Sequence, residues 1–340
     1  MAAAAPSPTD PDRAPRIHVD PLSGRVAFAA PGRADRPDDA ALLGAAGAGP
    51  TADAGSGPRA WCPFCLGNES RTPAAVLRAP TDEAVPWHAR IVPNRYPLTT
   101  SAAGADHGHG RLATGVHDVV IESAAHERSI LAVAPADWRD VWQLCQARIA
   151  GLAAAGQLAW ATVFKNSGGL AGASLEHLHS QLVGLDFVPP AVAAEFAALE
   201  RETDAFARLL AAAERDGRIV AESAGVVAVV PPAPRQPFET WILPLSPTAA
   251  FHAAPAEQVA ALADLTRWFV GRLQELAPNA DYNWWLHDLP FAGHEGCRGR
   301  WHWHLEIMPR LSPLAGFELG TGCHISPLPP AESARLLRGS

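Results

Sequence analysis

Residues 174 to 181 read Ser174-Leu175-Glu176-His177-Leu178-His179-Ser180-Gln181, with His177, His179 and Gln181 at alternate positions. Alternation at period two is a strand pattern, so the three polar side chains share one side, and Val183 continues that parity. Just upstream, Asn166-Ser167-Gly168-Gly169-Leu170-Ala171-Gly172 is a run of small residues whose backbone could approach a phosphate closely. Imidazole suits attack on phosphorus. It is neutral near pH 7 and forms a labile phosphoramidate, so one difficult displacement becomes two easier ones. The competing reading of an isolated His-x-His is a pair of surface histidines on an edge strand. The glycine-rich approach and a glutamine two residues on weigh against it, and group transfer at a phosphate is the chemistry expected.

The elements that must position these residues occur twice. An amphipathic helix over 136–155 leads to an apolar strand at 160–164, the glycine-rich loop, and a strand over 177–184. A second helix over 255–276 leads to a Trp-rich strand at 282–286, a glycine-containing loop at 291–299, and Arg300-Trp301-His302-Trp303-His304-Leu305-Glu306. Internal duplication is the economical explanation. The expected fold class is α+β: two antiparallel-sheet halves, 16–190 and 191–340, with helices packed on them. Strands at 119–122, 226–230 and 240–244 complete the sheets. The Ala/Pro/Asp-rich residues 1–15 read as disordered and 38–60 as a long flexible insertion, with a short strand pair at 16–29 between them. His107 and His109 lie in a further loop at 101–110, where solvated histidines are favoured over a metal site.

At 340 residues and 48% hydrophobic, the chain can bury a sizeable core. No apolar run approaches the roughly 20 residues of a membrane span, and the first residues lack the basic flank and apolar core of a signal peptide. A cytoplasmic protein with no membrane partner is therefore expected. A formal charge of -8 argues against a nucleic-acid partner and for a small one. The five cysteines are not a disulfide framework: Cys62 and Cys65 stand together, and Cys145, Cys297 and Cys323 are scattered. Cys145 falls in a helix and reads as core. Trp284, Trp285, Trp301 and Trp303 suit either core packing or an interface.

Further motifs recur in one order: Asp20-Pro21-Leu22-Ser23-Gly24, then Pro31-Gly32-Arg33-Ala34-Asp35-Arg36-Pro37, Cys62-Pro63-Phe64-Cys65, Val92-Pro93-Asn94-Arg95-Tyr96-Pro97 and Ile121-Glu122-Ser123-Ala124-Ala125-His126. After the His177-x-His179-x-Gln181 strand come Trp301 to His304 and Gly316-Phe317-Glu318-Leu319-Gly320-Thr321-Gly322. In this order the chain, from about Asp20 to Pro329, resembles the galactose-1-phosphate uridylyltransferase family, a two-halved branch of the histidine-triad superfamily that includes ADP-sugar phosphorylases. The resemblance implies a duplicated histidine-triad-like fold in which His179 is the nucleophile and carries a nucleotidyl group. It implies that Gln181 bonds a phosphoryl oxygen, that Asn166 and Ser174 contact phosphate, that Asn94 lies in a nucleotide-facing loop, and that Arg33 and Arg36 stand near the nucleotide phosphates.

The same resemblance implies that Cys62, Cys65, His126 and His177 hold a structural Zn²⁺, a closed tetrahedral donor set. A redox Cys-x-x-Cys is the competing reading and lacks the thioredoxin-like strand-to-helix context. Glu195, His287, His302 and His304 match a second family site for iron or zinc, with a buried hydrogen-bonded histidine cluster as the competing reading. Family members commonly dimerise, so a homodimer is among the expected partners, beside a nucleotide sugar and a sugar 1-phosphate or phosphate.

Three departures stand out. The family's usual His-Pro-His is His-Leu-His here. Arg95 replaces an acidic residue common in uridylyltransferases and looks more like the ADP-sugar phosphorylase branch. The hexose-contacting lysine and glutamate lack clear counterparts. The leading expectation is a UDP-glucose:hexose-1-phosphate uridylyltransferase-like enzyme. The alternatives are a nucleotide-sugar phosphorylase with inorganic phosphate as acceptor, a non-catalytic zinc-folded nucleotide binder, and a zinc hydrolase. The hydrolase is disfavoured because four ligands would leave no open metal position.

Overall fold

Ten strands follow one another into a single antiparallel sheet, in an order that repeats from its two edges. The computed structural model describes residues 14–35, 59–101, 110–248, 250–293 and 295–339. Residues 1–13, nearly all of the expected insertion, Arg36, His107 and His109 lie outside the described residues. The first part of the chain forms β1 (Arg16–Val19), β2 (Val26–Ala29), β3 (Leu77–Ala79), β4 (Ala89–Pro93), β5 (Arg111–Leu112), β6 (Gly115–Ile121), helix α1 (Pro135–Ala155), β7 (Trp160–Ser167) and β8 (His179–Leu185). Then come α2 (Pro190–Arg201), α3 (Ala205–Arg215), β9 (Ile219–Ser223), β10 (Val226–Val229), β11 (Thr240–Pro244), α4 (Ala256–Leu276), β12 (Tyr282–His287), β13 (His304–Pro309), α5 (Gly316–Thr321) and α6 (Pro330–Arg338).

The large sheet runs β3-β4-β6-β8-β7-β12-β13-β11-β10-β9, while β2, β1 and β5 form a small separate sheet. Counted inward from either edge, the strands correspond pairwise, with α1 and α4 each inserted before the strand that its half places at the centre of the sheet. The expected α+β class and repeated units are present. The two antiparallel-sheet halves expected are present, and they run on into one sheet because β7 and β12 pair antiparallel at the centre, Asn166 opposite Asn283 and Phe164 opposite Trp285.

The long helices form where the 3.6-residue pattern predicts them. Pro135 opens α1 at a position whose N–H needs no helical partner, and Gly156 at φ +64° closes it in a conformation that a side chain disfavours. Both helices lie on one face of the sheet, over the odd positions of β7 and the even positions of β8 and β12. Trp138, Trp142 and Trp284 meet there with ring centroids 6.1–6.5 Å apart. Each such ring takes roughly 200 Å² out of water, on the order of 5 kcal/mol by area. The Trp138 indole N–H is satisfied by Thr266 Oγ1 of α4 at 3.0 Å, which ties the two helices together. Trp284 and Trp303 are thus core residues, and Cys145 is buried beside them.

The opposite face differs between the halves. Helices α2 and α3 cover it from the sheet centre to β10, with Phe196 stacked on Trp301 at 4.3 Å and Phe206, Leu209 and Leu210 packed on Val227, Val229 and Leu243. Over β4 and β6 the same face packs against Cys62, Phe64, Cys65 and Trp87, which lie outside the strands and helices. Strand β8 begins at His179 and not at His177, because His177 turns its ring toward Ser123 and the cysteines before the ladder starts. Similarly β13 begins at His304. Among the described residues no helix is long and apolar enough to cross a membrane.

Candidate active site

Cys62, Cys65, His126 and His177 come together from three separated segments, all buried, with one donor atom from each within 4.8 Å of the others. The His177 Nε2–H donates to the Ser123 carbonyl (2.9 Å), which leaves the Nδ1 lone pair facing the two sulfurs at 3.5 and 3.6 Å. His126 Nδ1 stands 3.4 Å from Cys65 Sγ. A tetrahedral ion with bonds of about 2.3 Å to sulfur and about 2.0 Å to nitrogen separates such donors by roughly 3.5 Å, so the four residues fit a metal ion. Burial pulls the imidazoles down, to about 4 at His126, where Arg59 and Arg128 add to the effect, and to about 3 at His177; both rings are therefore neutral, the form that can ligate a metal. Burial also pushes the Cys62 thiol up to about 12, so thiolate formation there depends on a cation.

Two residues on, His179 faces a cavity of about 500 Å³. Its Nδ1–H donates to the His177 carbonyl at 2.8 Å. A carbonyl can only accept, so this bond puts the proton on Nδ1 and the nucleophilic lone pair on Nε2. Phe64 packs against both histidine rings, 5.8 Å from His177 and 5.4 Å from His179. The Cys/His cluster is thereby packed, through Phe64, against the residue that could attack phosphorus.

Gln181, Asn94 and Ser174 line the same cavity, together with Trp61, Arg71, Arg95 and Tyr96. Arg33 and Asn166 line a neighbouring cavity of about 400 Å³ that meets the first at Gln181. Arg33 donates to the Tyr96 carbonyl (3.0 Å), and Asn166 Oδ1 accepts from Asn283 (2.8 Å). The loop after Asn166 is held by Asp281. Its carboxylate accepts from the Leu170 N–H at 2.6 Å and crowds Gly168, where a Cβ would lie 1.7 Å from Asp281 Oδ1. Gly168 also sits at φ +89°, so glycine is required there for both reasons.

In the second half, His304 and Glu306 occupy the places of His179 and Gln181, each pair opening the equivalent strand. The His304 Nδ1–H likewise donates to the His302 carbonyl, at 3.0 Å. Here α2 closes the face and brings Glu195, whose Oε1 lies 2.7 Å from His287 Nδ1 and whose Oε2 lies 3.6 Å from His304 Nε2. Three of the four expected ligands thus meet, but the fourth place belongs to Glu306 and not His302. His302 donates from Nδ1 to the Pro244 carbonyl (2.7 Å) and stacks on Phe206, which holds its ring away. Glu195 Oε2 and His304 Nε2 are buried without hydrogen-bond partners among the described residues. Despite burial, the facing carboxylates raise His304 to about 10, and Arg235 binds both Glu239 and Glu306. The group therefore demands positive charge, and a cation would fit it.

The pattern of residues along the chain does not reveal a further cluster on the helix side of the sheet. Lys165, fully buried, pairs with buried Glu122 and donates to the His179 carbonyl at 2.8 Å, while Ser180 donates to the same carboxylate. Lys165 alternates with Phe164 and Asn166 along β7, a signal that it faces the opposite side from the cavities. Nothing local marks its partner.

Residues 89–337 match a family described as a domain of unknown function (DUF4921). The chain is 31% identical over 338 residues to an ADP-glucose phosphorylase of Arabidopsis thaliana, spanning 96% of this chain and 93% of that protein. It is 25% identical over 235 residues to a galactose-1-phosphate uridylyltransferase of Thermotoga maritima, spanning 66% and 74%. The crystal structure of an ADP-glucose phosphorylase from Arabidopsis thaliana with bound ADP-glucose aligns with a TM-score of 0.76 at 30% identity, over 96% of this chain and 98% of that one.

Proposed function

The chain belongs to the galactose-1-phosphate uridylyltransferase family of nucleotidyl-transferring enzymes, and from that premise we propose that it is a nucleotide-sugar phosphorylase acting on an ADP-sugar. The observation that carries this reading is that Arg95 lines the same cavity as His179, in a chain similar over nearly its whole length to an ADP-glucose phosphorylase. It favours phosphorolysis over the transfer to a hexose 1-phosphate expected first.

In the reaction, the Nε2 lone pair of His179 attacks the α-phosphorus of ADP-glucose. The bond from that phosphorus to the bridging oxygen breaks, and glucose 1-phosphate leaves with its electron pair. An oxygen of inorganic phosphate then attacks the same phosphorus, the P–N bond breaks, and ADP departs with His179 restored. The Gln181 amide N–H bonds a phosphoryl oxygen as charge develops, and Ser174, Asn166 and Arg33 bind the remaining phosphate oxygens. Asn94 orders the loop that carries Arg95. Mixing the protein with ADP-glucose and phosphate should release ADP and glucose 1-phosphate. Turnover with UDP-glucose and galactose 1-phosphate, and none with the ADP-glucose pair, would overturn the assignment in favour of a uridylyltransferase.

Zn²⁺ is the ion proposed for Cys62, Cys65, His126 and His177, where it would cross-link the 59–68 segment to the start of β8 and take no part in the displacement. Replacing Cys65 with Ser should remove about one equivalent of bound zinc and lower the unfolding midpoint. Loading should release thiol protons and weaken as pH falls, because the ligand is the thiolate. A folded Cys65→Ser protein with unchanged metal content would rule this site out. The Glu195, His287, His304 and Glu306 group is proposed as a second cation site.

A further inference from the structure

We propose that His117 is a positioning residue that sets which end of the Gln181 amide faces the phosphoryl group. His117 is buried on β6, on the same face as Val119 and two residue pairs along the ladder from the Val119–Gln181 pair. The backbone N–H of Leu98 donates to His117 Nδ1 at 3.0 Å. A backbone N–H has no alternative role, so Nδ1 carries the lone pair and Nε2 carries the proton. Among the described residues, the side chains of Asn94 and Gln181 lie within reach of that proton. Asn94 presents its amide nitrogen at 3.1 Å, since its oxygen already accepts from the Tyr96 N–H at 2.8 Å. Gln181 Oε1 at 3.0 Å is therefore the acceptor.

The consequence lies at the other end of the same carboxamide. With Oε1 held by His117, the Gln181 NH₂ is the end left for the cavities that Gln181 lines. A flipped Gln181 amide would leave the Nε2 proton facing two amide nitrogens with neither oxygen to accept it, and would turn a carbonyl oxygen toward phosphate oxygens. His117 thus transmits a backbone N–H of the 94–98 loop into a defined hydrogen-bond donor at the reacting phosphorus. The second half differs here: its counterpart of Gln181 is Glu306, held by Arg235, and it presents a carboxylate. This inference rests on the phosphorylase reading for the role of Gln181, while the tautomer and the His117–Gln181 bond do not depend on it.

The test has two arms. In the ligand-free protein labelled with ¹⁵N-histidine, two-bond ¹H–¹⁵N correlation spectra near neutral pH should give His117 protonated at Nε2 alone, assigned by its absence from His117→Gln. Protonation at Nδ1 would overturn the proposal. In the second arm, His117→Leu should lower kcat for ADP-glucose phosphorolysis about tenfold to a hundredfold with little change in KM. His117→Gln, which keeps a donor at the Nε2 position, should recover most of it. In a Gln181→Ala background His117→Leu should cost nothing more. Additive losses, or a rise in KM alone, would mean that His117 only packs the loop and would overturn its positioning role. Absence of turnover in the wild-type protein would instead count against the phosphorylase reading, and the spectra would still decide the tautomer.

Discussion

Replacing His179 with Asn is expected to abolish the covalent nucleotidyl adduct and to lower turnover by roughly a thousandfold or more. The size follows from what is removed. Only His179 among the cavity's side chains has an sp² nitrogen whose lone pair is fixed by a bond at the other ring nitrogen, the 2.8 Å contact to the His177 carbonyl. Asparagine can keep that contact through its amide N–H but has no nucleophilic nitrogen. The fold should survive, because His179 is held by its own strand and the Cys62, Cys65, His126 and His177 cluster is complete without it. Intact-mass measurement after brief incubation with ADP-glucose, under conditions that preserve an acid-labile bond, checks this directly. The wild-type protein should gain the mass of AMP and the variant should not. An adduct of equal yield on His179→Asn would remove His179 from its role.

The second large effect concerns stability. Lys165→Met should destabilise the fold by about 3–5 kcal/mol, because it leaves the Glu122 carboxylate charged, buried and facing no cation. Burial lowers the Lys165 pKa, and the attraction and hydrogen bond of the Glu122 carboxylate oppose that shift, so the buried ammonium depends on its partner for its charge. The double variant Lys165→Met, Glu122→Gln should recover much of the loss, since a neutral amide can still accept from Ser180. Denaturant unfolding of the three proteins measures it, and a single variant within 1 kcal/mol of the wild type would defeat the argument. Because Lys165 also donates to the His179 carbonyl, the folded fraction of Lys165→Met should form the adduct more slowly.

These two residues also mark how far the linear chain can be read. His179 was legible because its signal is local: alternation with His177 and Gln181, a small-residue loop before it and a Cys-x-x-Cys upstream. The helices at Pro135–Ala155 and Ala256–Leu276, the repeated order of elements and the buried tryptophans were legible for the same reason. Lys165 was not, since its partner is 43 residues away and reached only across the paired strands β7, β8 and β6. His117 carried no motif at all, and its part in the site depends on the register that sets it opposite Val183.

Thus the sequence by itself determined the residue chemistry, the two helix-and-strand units and the family to which they belong, because periodicity, caps and closely spaced ligands are short-range properties. Only the tertiary structure decided that the units share one sheet, that Glu306 and not His302 completes the second cluster, and that one histidine strand opens on cavities while its twin is sealed under α2. The physical reason is that strand register and the covering of each face arise from contacts between distant segments, and a one-residue change of register sends every side chain to the other face.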